Sequence, residues 1–98
     1  MNIKKNSITV GIPFYNKTNA KYFDIAIQSI INQTFSADNI HLIQDGEVDS
    51  FLIQLVKKYE KEHANIKLIK LPKKGLPYAL NQSIKQSETE YYARMDAD

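Results

Sequence analysis

Ser7-Ile8-Thr9-Val10-Gly11-Ile12, SITVGI, is a short run in which Ile8, Thr9, Val10 and Ile12 are β-branched. Its length and β-branched content suit a strand buried on both faces better than a helix. Pro13 removes a backbone donor and is expected to end the strand there. A buried strand needs cover, and the next segment supplies it. From Lys21 to Asn32, Phe23, Ala26, Ile27, Ile30 and Ile31 fall on one helical face.

The same alternation continues along the chain. Asn39 to Gln44 (NIHLIQ) reads as a second strand, closed by Asp45-Gly46, and Phe51, Leu52, Leu55, Val56 and Tyr59 mark a second amphipathic helix capped by Asp49 or Ser50. Asn65 to Leu71 (NIKLIKL) is the third strand, ended by Pro72. Pro77 to Gln86 forms a third helix with Pro77 in its first turn and Ala79, Leu80 and Ile84 facing inward. Glu90 to Met95 (EYYARM) is the fourth strand. The order βαβαβαβ, with short connections, predicts an α/β fold: an open, mainly parallel four-stranded sheet with helices on both faces, each helix crossing between neighbouring strands. Residues 1–6 read as an N-terminal extension and residues 7–98 as one domain.

Composition narrows the function classes. The 98 residues contain no cysteine, which excludes disulfides, cysteine-ligated zinc and thiol nucleophiles, and only His41 and His63 are histidines. The net charge of +2 comes mostly from dispersed lysines, which is weak support for a nucleic-acid partner and none for a membrane surface. No apolar run approaches the roughly 18 to 20 residues that span a bilayer, and MNIKKN leads into a strand instead of a signal-peptide core. The expected location is cytoplasmic.

In open α/β sheets, ligands sit outside the carboxyl ends of the strands, where the winding reverses. Those ends carry PFYN (Pro13 to Asn16), QDGE (Gln44 to Glu47), PKKGLP (Pro72 to Pro77) and DAD (Asp96 to Asp98). Asp45 can accept from a base N–H or a ribose hydroxyl, and Gly46 permits close approach; Asp-Gly is also the composition of an ordinary turn. Lys73, Lys74 and the helix start after Gly75 can attract phosphate, although paired loop lysines are usually just solvated. The phosphate-binding Gly-x-x-x-x-Gly-Lys pattern and the dinucleotide Gly-x-Gly-x-x-Gly pattern are both absent. Asp96 and Asp98, at i and i+2 where a strand gives way to a turn, can converge on one ligand and hold a hard divalent cation such as Mg2+ or Mn2+.

Together, ITVGIPFYN, AIQSIINQT, HLIQDGE, GLPYALNQSI and YYARMDAD resemble the nucleotide-sugar-binding half of family 2 glycosyltransferases, which have the Rossmann-like GT-A fold. The form of these motifs is similar to bacterial exopolysaccharide and capsule transferases of the amylovoran type. The resemblance implies an inverting, metal-dependent transferase acting on a nucleotide-sugar, usually UDP-linked, with a saccharide or lipid-linked saccharide acceptor in cell-surface polysaccharide synthesis. It implies that Pro13, Phe14, Tyr15 and Asn16 line the base and ribose pocket and that Asp45 accepts from the base. Asp96 would approach the ribose, Asp98 and Asp96 would serve Mn2+ or Mg2+, and Arg94, Lys74 and Gly75 would lie beside the sugar-diphosphate.

Gln44, Leu80 and Ser83 depart from the family's more frequent acidic residue, arginine and glycine. The family's catalytic base and acceptor site follow the Asp-x-Asp motif. The expectation is therefore a donor-binding part, inactive alone, with an uncovered sheet edge that favours self-association. A non-catalytic assembly or regulatory module is the competing reading. A phosphoacceptor signalling domain is disfavoured, since no acidic pair follows the first strand.

Overall fold

The four apolar runs become the strands of one parallel sheet, in a computed structural model that describes residues 3–33 and 36–97. The chain order is β1 (Lys4–Phe14), α1 (Ala20–Ile31), β2 (Asn39–Asp45), α2 (Ser50–Glu62), β3 (Ile66–Leu71), α3 (Leu76–Gln86) and β4 (Thr89–Arg94). The sheet order is β3-β2-β1-β4, with every pairing parallel. The α/β class and the helices on both faces agree with the sequence reading. One connection does not: α3 carries the chain from β3 past β2 and β1 to the far side of β1, instead of to a neighbouring strand. With right-handed crossovers, that reversal of direction sends α3 to the face opposite α1 and α2. No helix among the described residues is long and apolar enough to cross a membrane.

Pro13 does not end β1. It pairs with Ile43 inside the strand, which runs to Phe14. The Gly11 carbonyl accepts from the Met95 N–H at 2.9 Å, where β4 has already left the sheet. Pro13 faces the same side two residues later, so its missing N–H costs no ladder bond. At the other end β1 begins at Lys4, and a register shift between Lys4 and Ile8 accommodates Asn6 at φ 62°. Asparagine is among the few side chains that tolerate that conformation.

The larger core lies between the sheet and α1 and α2. Val10, Ile12 and Phe14 from β1 meet Phe23, Ile27 and Ile30 from α1 and Leu52, Val56 and Tyr59 from α2, with Phe14 stacked on Phe23 at 4.5 Å. Each such side chain contributes about 1.5–3 kcal/mol by leaving water. Asn19 caps α1 through the Tyr22 N–H, and Asp49 caps α2 through the Leu52 N–H. Tyr59 donates from its hydroxyl to Asp24, tying α2 to α1. Burial and that carboxylate push the Tyr59 hydroxyl up to about 12. Phe51, expected to face inward, is 77% exposed at the start of α2.

The α3 face is smaller and partly polar. Ala79 and Ser83 are fully buried, whereas Ile84, expected on that face, is 47% exposed. Small residues let α3 sit close to the sheet, and the direction they define leaves Ile84 outside. Ser83 Oγ lies 2.9 Å from His41 Nδ1 and accepts from the Tyr92 hydroxyl at 2.7 Å. Since Tyr92 donates to the serine, the serine proton is free for Nδ1, and a neutral imidazole completes the chain.

Burial first, and then the charge of Lys67, hold His41 below its ordinary 6.5, with the Ser83 backbone acting the other way. The unfolded chain takes up this proton before the folded one does. This contribution to stability is therefore complete above about pH 6.5 and is lost as pH falls towards the depressed native value. A melting-temperature profile from about pH 8 to about pH 5 should slope downward through that window, and His41→Gln should flatten it. A wild-type profile with no slope there would refute the assignment. Asp38, held low chiefly by the Ile8 N–H and then by Lys4, titrates in a separate window below about pH 4.

Candidate functional site

The winding reverses between β1 and β4, and a crevice lies at their carboxyl ends. A cavity of about 340 Å³ fills it, lined by Pro13, Phe14, Tyr15, Thr18, Asp45, Leu76, Arg94, Asp96 and Ala97. Six of the residues expected from sequence are thus brought together: Pro13, Phe14, Tyr15, Asp45, Arg94 and Asp96.

Beyond Phe14 the chain turns at once. The Thr18 N–H donates to the Tyr15 carbonyl at 3.0 Å, and the Tyr15 N–H donates to Thr18 Oγ1 at 2.9 Å. This reciprocal pair fixes the turn with Thr18 buried and Tyr15 at the cavity mouth, 40% exposed. Asn16, in the same turn, is exposed and does not line the cavity. Phe14 is 2% exposed and stacks on Phe23, so it forms the floor.

Asp45 closes β2 and binds the next connection: its Oδ1 accepts from the Lys74 N–H at 3.0 Å. One carboxylate oxygen is spent on this clamp, and the other remains for a ligand. Gly46 allows the close passage, at φ 83° and with Lys73 Cβ only 2.9 Å from where a side chain would begin. Gln44, 3% exposed, donates from Nε2 to the Gly46 carbonyl at 2.9 Å. It stiffens the turn and does not line the cavity.

The clamp places the start of α3 at the rim. Gly75, at φ 93°, occupies the N-cap position without a side-chain cap, and Leu76 enters the cavity wall. Lys74 and Gly75 lie near this wall without lining it, and the Lys74 ammonium sits 4.9 Å from the Tyr78 ring centroid.

On the far wall Arg94 ends β4, and its Nε and Nη2 both reach Asp96 Oδ1, at 2.9 and 2.8 Å. Ala97 is 7% exposed and joins the core, which anchors the strand exit and turns the adjacent Asp96 outward. Asp98 lies outside the described residues. Among the described residues no group of three or more His, Cys, Asp or Glu side chains could hold a cation unaided.

Sequence reading missed Thr18, Leu76 and Ala97. Tyr15-x-x-Thr18 carries a signal, since a hydroxyl three residues on can close a turn; Leu76 and Ala97 carry none without the tertiary fold. The lining combines an aromatic ring and an apolar side chain, Tyr15 and Leu76, with a carboxylate acceptor on Asp45 and a guanidinium and carboxylate on Arg94 and Asp96.

The profile of glycosyl transferase family 2 matches residues 9–98. An uncharacterized glycosyltransferase YibD of Escherichia coli K12 is 31% identical over 95% of this chain and 26% of its own length. The O-antigen biosynthesis glycosyltransferase WbnJ of Escherichia coli is 33% identical over 80% of this chain and 31% of its own. The mannosyltransferase PcManGT of Pyrobaculum calidifontis, solved in complex with GDP-Man and Mn2+, superimposes with a TM-score of 0.74 at 21% identity, over 93% of this chain and 27% of that one. The chain thus spans about a quarter to a third of the proteins it matches.

Proposed function

Because this chain belongs to glycosyl transferase family 2, we propose that the β1/β4 crevice is the donor site of an inverting transferase that takes its sugar from a UDP-linked donor. The observation that carries this reading is that one cavity is lined from three adjacent strand ends: Asp45 from β2, Tyr15 from β1 in the middle, and Arg94 and Asp96 from β4. That order follows base, ribose and diphosphate along a nucleotide. A saccharide or lipid-linked saccharide is the acceptor, and cell-surface polysaccharide synthesis the setting, as the O-antigen role in WbnJ's name supports.

Uracil is favoured by the clamp on Asp45. With one oxygen committed to the Lys74 N–H, the carboxylate has a single acceptor edge for the base. Uracil presents one imide N–H there, while guanine presents two adjacent donors that call for both oxygens. Tyr15 and Leu76 hold the base faces, and Asp96 takes a ribose hydroxyl. Asn16, exposed in the Tyr15 turn, is assigned to the sugar edge of the nucleoside from the resemblance alone. Arg94, the Lys74 ammonium and the free N–H groups after Gly75 serve the diphosphate.

Asp96 offers hard carboxylate oxygen, the donor type that Mn2+ and Mg2+ accept when phosphates complete their coordination. The residues fit such an ion, with Asp96 and, from the resemblance, Asp98 as its holders. When bound, the ion supplies Lewis acidity that stabilises the departing diphosphate. The catalytic base is assigned to none of these residues.

Calorimetry with UDP tests the reading. UDP should bind the wild-type chain markedly better with Mn2+ than without, and Asp98→Ala should remove that difference. Equal UDP binding with and without Mn2+ would refute the metal role, and absence of UDP binding in both conditions would refute the donor site.

A further inference from the structure

Arg94 and Asp96 are each assigned a ligand above, yet in the free protein they hold one another. Two guanidinium N–H groups converge on a single carboxylate oxygen, at 2.8 and 2.9 Å. The side chains are 44% and 62% exposed, so water competes for both partners and the pair is weak enough to open. Both residues also line the cavity. The pair uses two of the five guanidinium N–H groups, so a diphosphate arriving alone meets Arg94 with its charge offset and the Asp96 carboxylate beside it, and gains little unless the pair opens. A divalent cation alone can reach the other Asp96 oxygen, but it must then sit next to the guanidinium. When cation and diphosphate arrive together, one ion pair is exchanged for two, Asp96 with the cation and Arg94 with the phosphates.

We propose that Arg94 and Asp96 form an exchangeable ion pair that makes recognition of the diphosphate by Arg94 conditional on a divalent cation. Arg94 is then a conditional specificity residue: it discriminates between a metal-bound and a metal-free nucleotide. The inference rests on the donor-site reading, and its test separates the two.

The experiment is calorimetric titration of UDP, with and without Mn2+, into the wild-type chain, Arg94→Gln, Asp96→Asn and the double variant. With Mn2+ present, Arg94→Gln should weaken UDP about tenfold, the scale of one lost charge-assisted hydrogen bond. Without Mn2+ the same substitution should change UDP affinity less than about twofold, because Asp96 offsets the Arg94 charge and repels the phosphates. In the Asp96→Asn background the guanidinium is released, and removing it should then cost about tenfold even without Mn2+. Melting temperatures monitor the fold of all variants, and both side chains are exposed enough that surface-type changes are expected.

An equal loss in Arg94→Gln with and without Mn2+ would overturn the exchange, since a permanently free guanidinium behaves that way. So would a metal-free Arg94→Gln effect that is the same in both Asp96 backgrounds. Failure of the wild-type chain to bind UDP in either condition would instead remove the donor-site reading, and this inference with it.

Discussion

Gly11→Val should unfold the domain about 15 °C below wild type, a loss of about 3 kcal/mol for a chain of this size. The cause lies on the α3 face. A Cβ on Gly11 would collide with the Tyr92 hydroxyl, and it would stand 2.8 Å from the adjacent ring carbon and 3.2 Å from Ile43 Cδ1. Tyr92 cannot swing aside freely, since its hydroxyl donates to Ser83 Oγ, which also meets His41. Displacing it breaks a part-buried hydrogen bond, worth about 1 kcal/mol, and the branched valine adds overpacking on a central strand. A cycle of Gly11→Ala and Tyr92→Phe isolates the clash. Removing the hydroxyl relieves the worst contact, so the double variant should melt higher than the sum of the single losses allows. Strict additivity in thermal melts would show that the two residues are not in conflict.

Asp45→Asn should weaken UDP at least about tenfold and reverse the preference between UDP and CDP. The Lys74 N–H decides how the new amide lies. It requires the carbonyl oxygen of the introduced asparagine as its acceptor, which turns the NH2 group to the cavity. Two donors then face each other at the uracil imide, whereas cytosine presents an acceptor at the same ring position. Calorimetry with the two diphosphates on wild type and variant measures the ratio directly. A ratio unchanged by the substitution would mean that Asp45 does not read the base and serves the β3–α3 connection alone. Asp45→Ala complements this test, since it removes the clamp and the acceptor together.

Much of this molecule is legible in its sequence because short β-branched runs and helical periodicity are local signals. SITVGI, NIHLIQ, NIKLIKL and EYYARM all lie in or overlap strands, and the α1 face of Phe23, Ala26, Ile27 and Ile30 is buried as expected. The position of β4 beside β1 is not local. Crossover handedness says which face a helix takes, but not how many strands it passes. Ile84 and Phe51 escape the periodic reading for a related reason, since periodicity ranks apolar residues and α3 instead packs through Ala79 and Ser83. Pro13 misleads because the cost of a missing donor depends on whether a partner strand is still present.

The cavity is lined by Pro13, Phe14, Tyr15, Asp45, Arg94 and Asp96, and it leaves out Asn16, Lys74 and Gly75. A turn residue's direction is set by the reciprocal Tyr15–Thr18 hydrogen bonds, which no composition reveals. Gln44 follows the same logic: its amide is committed to the Gly46 carbonyl.

The pairing of β1 with β4 also bears on the order in which the chain acquires its parts. Thr9 meets Thr89 and Ser7 meets the Glu90 N–H across 80 and 83 residues, whereas β1 and β2 join residues some 30 apart. Closing the longer loop costs only about 1 kcal/mol more, but β4 is synthesised after the other three strands and docks on the free side of β1. The crevice lies across that seam. A partly folded chain holding β1, β2 and β3 would present Asp45 and Tyr15 with no Arg94 wall opposite. A ligand that spans both walls draws only on the completed domain, and by mass action it opposes the departure of β4 more than any other opening of the sheet.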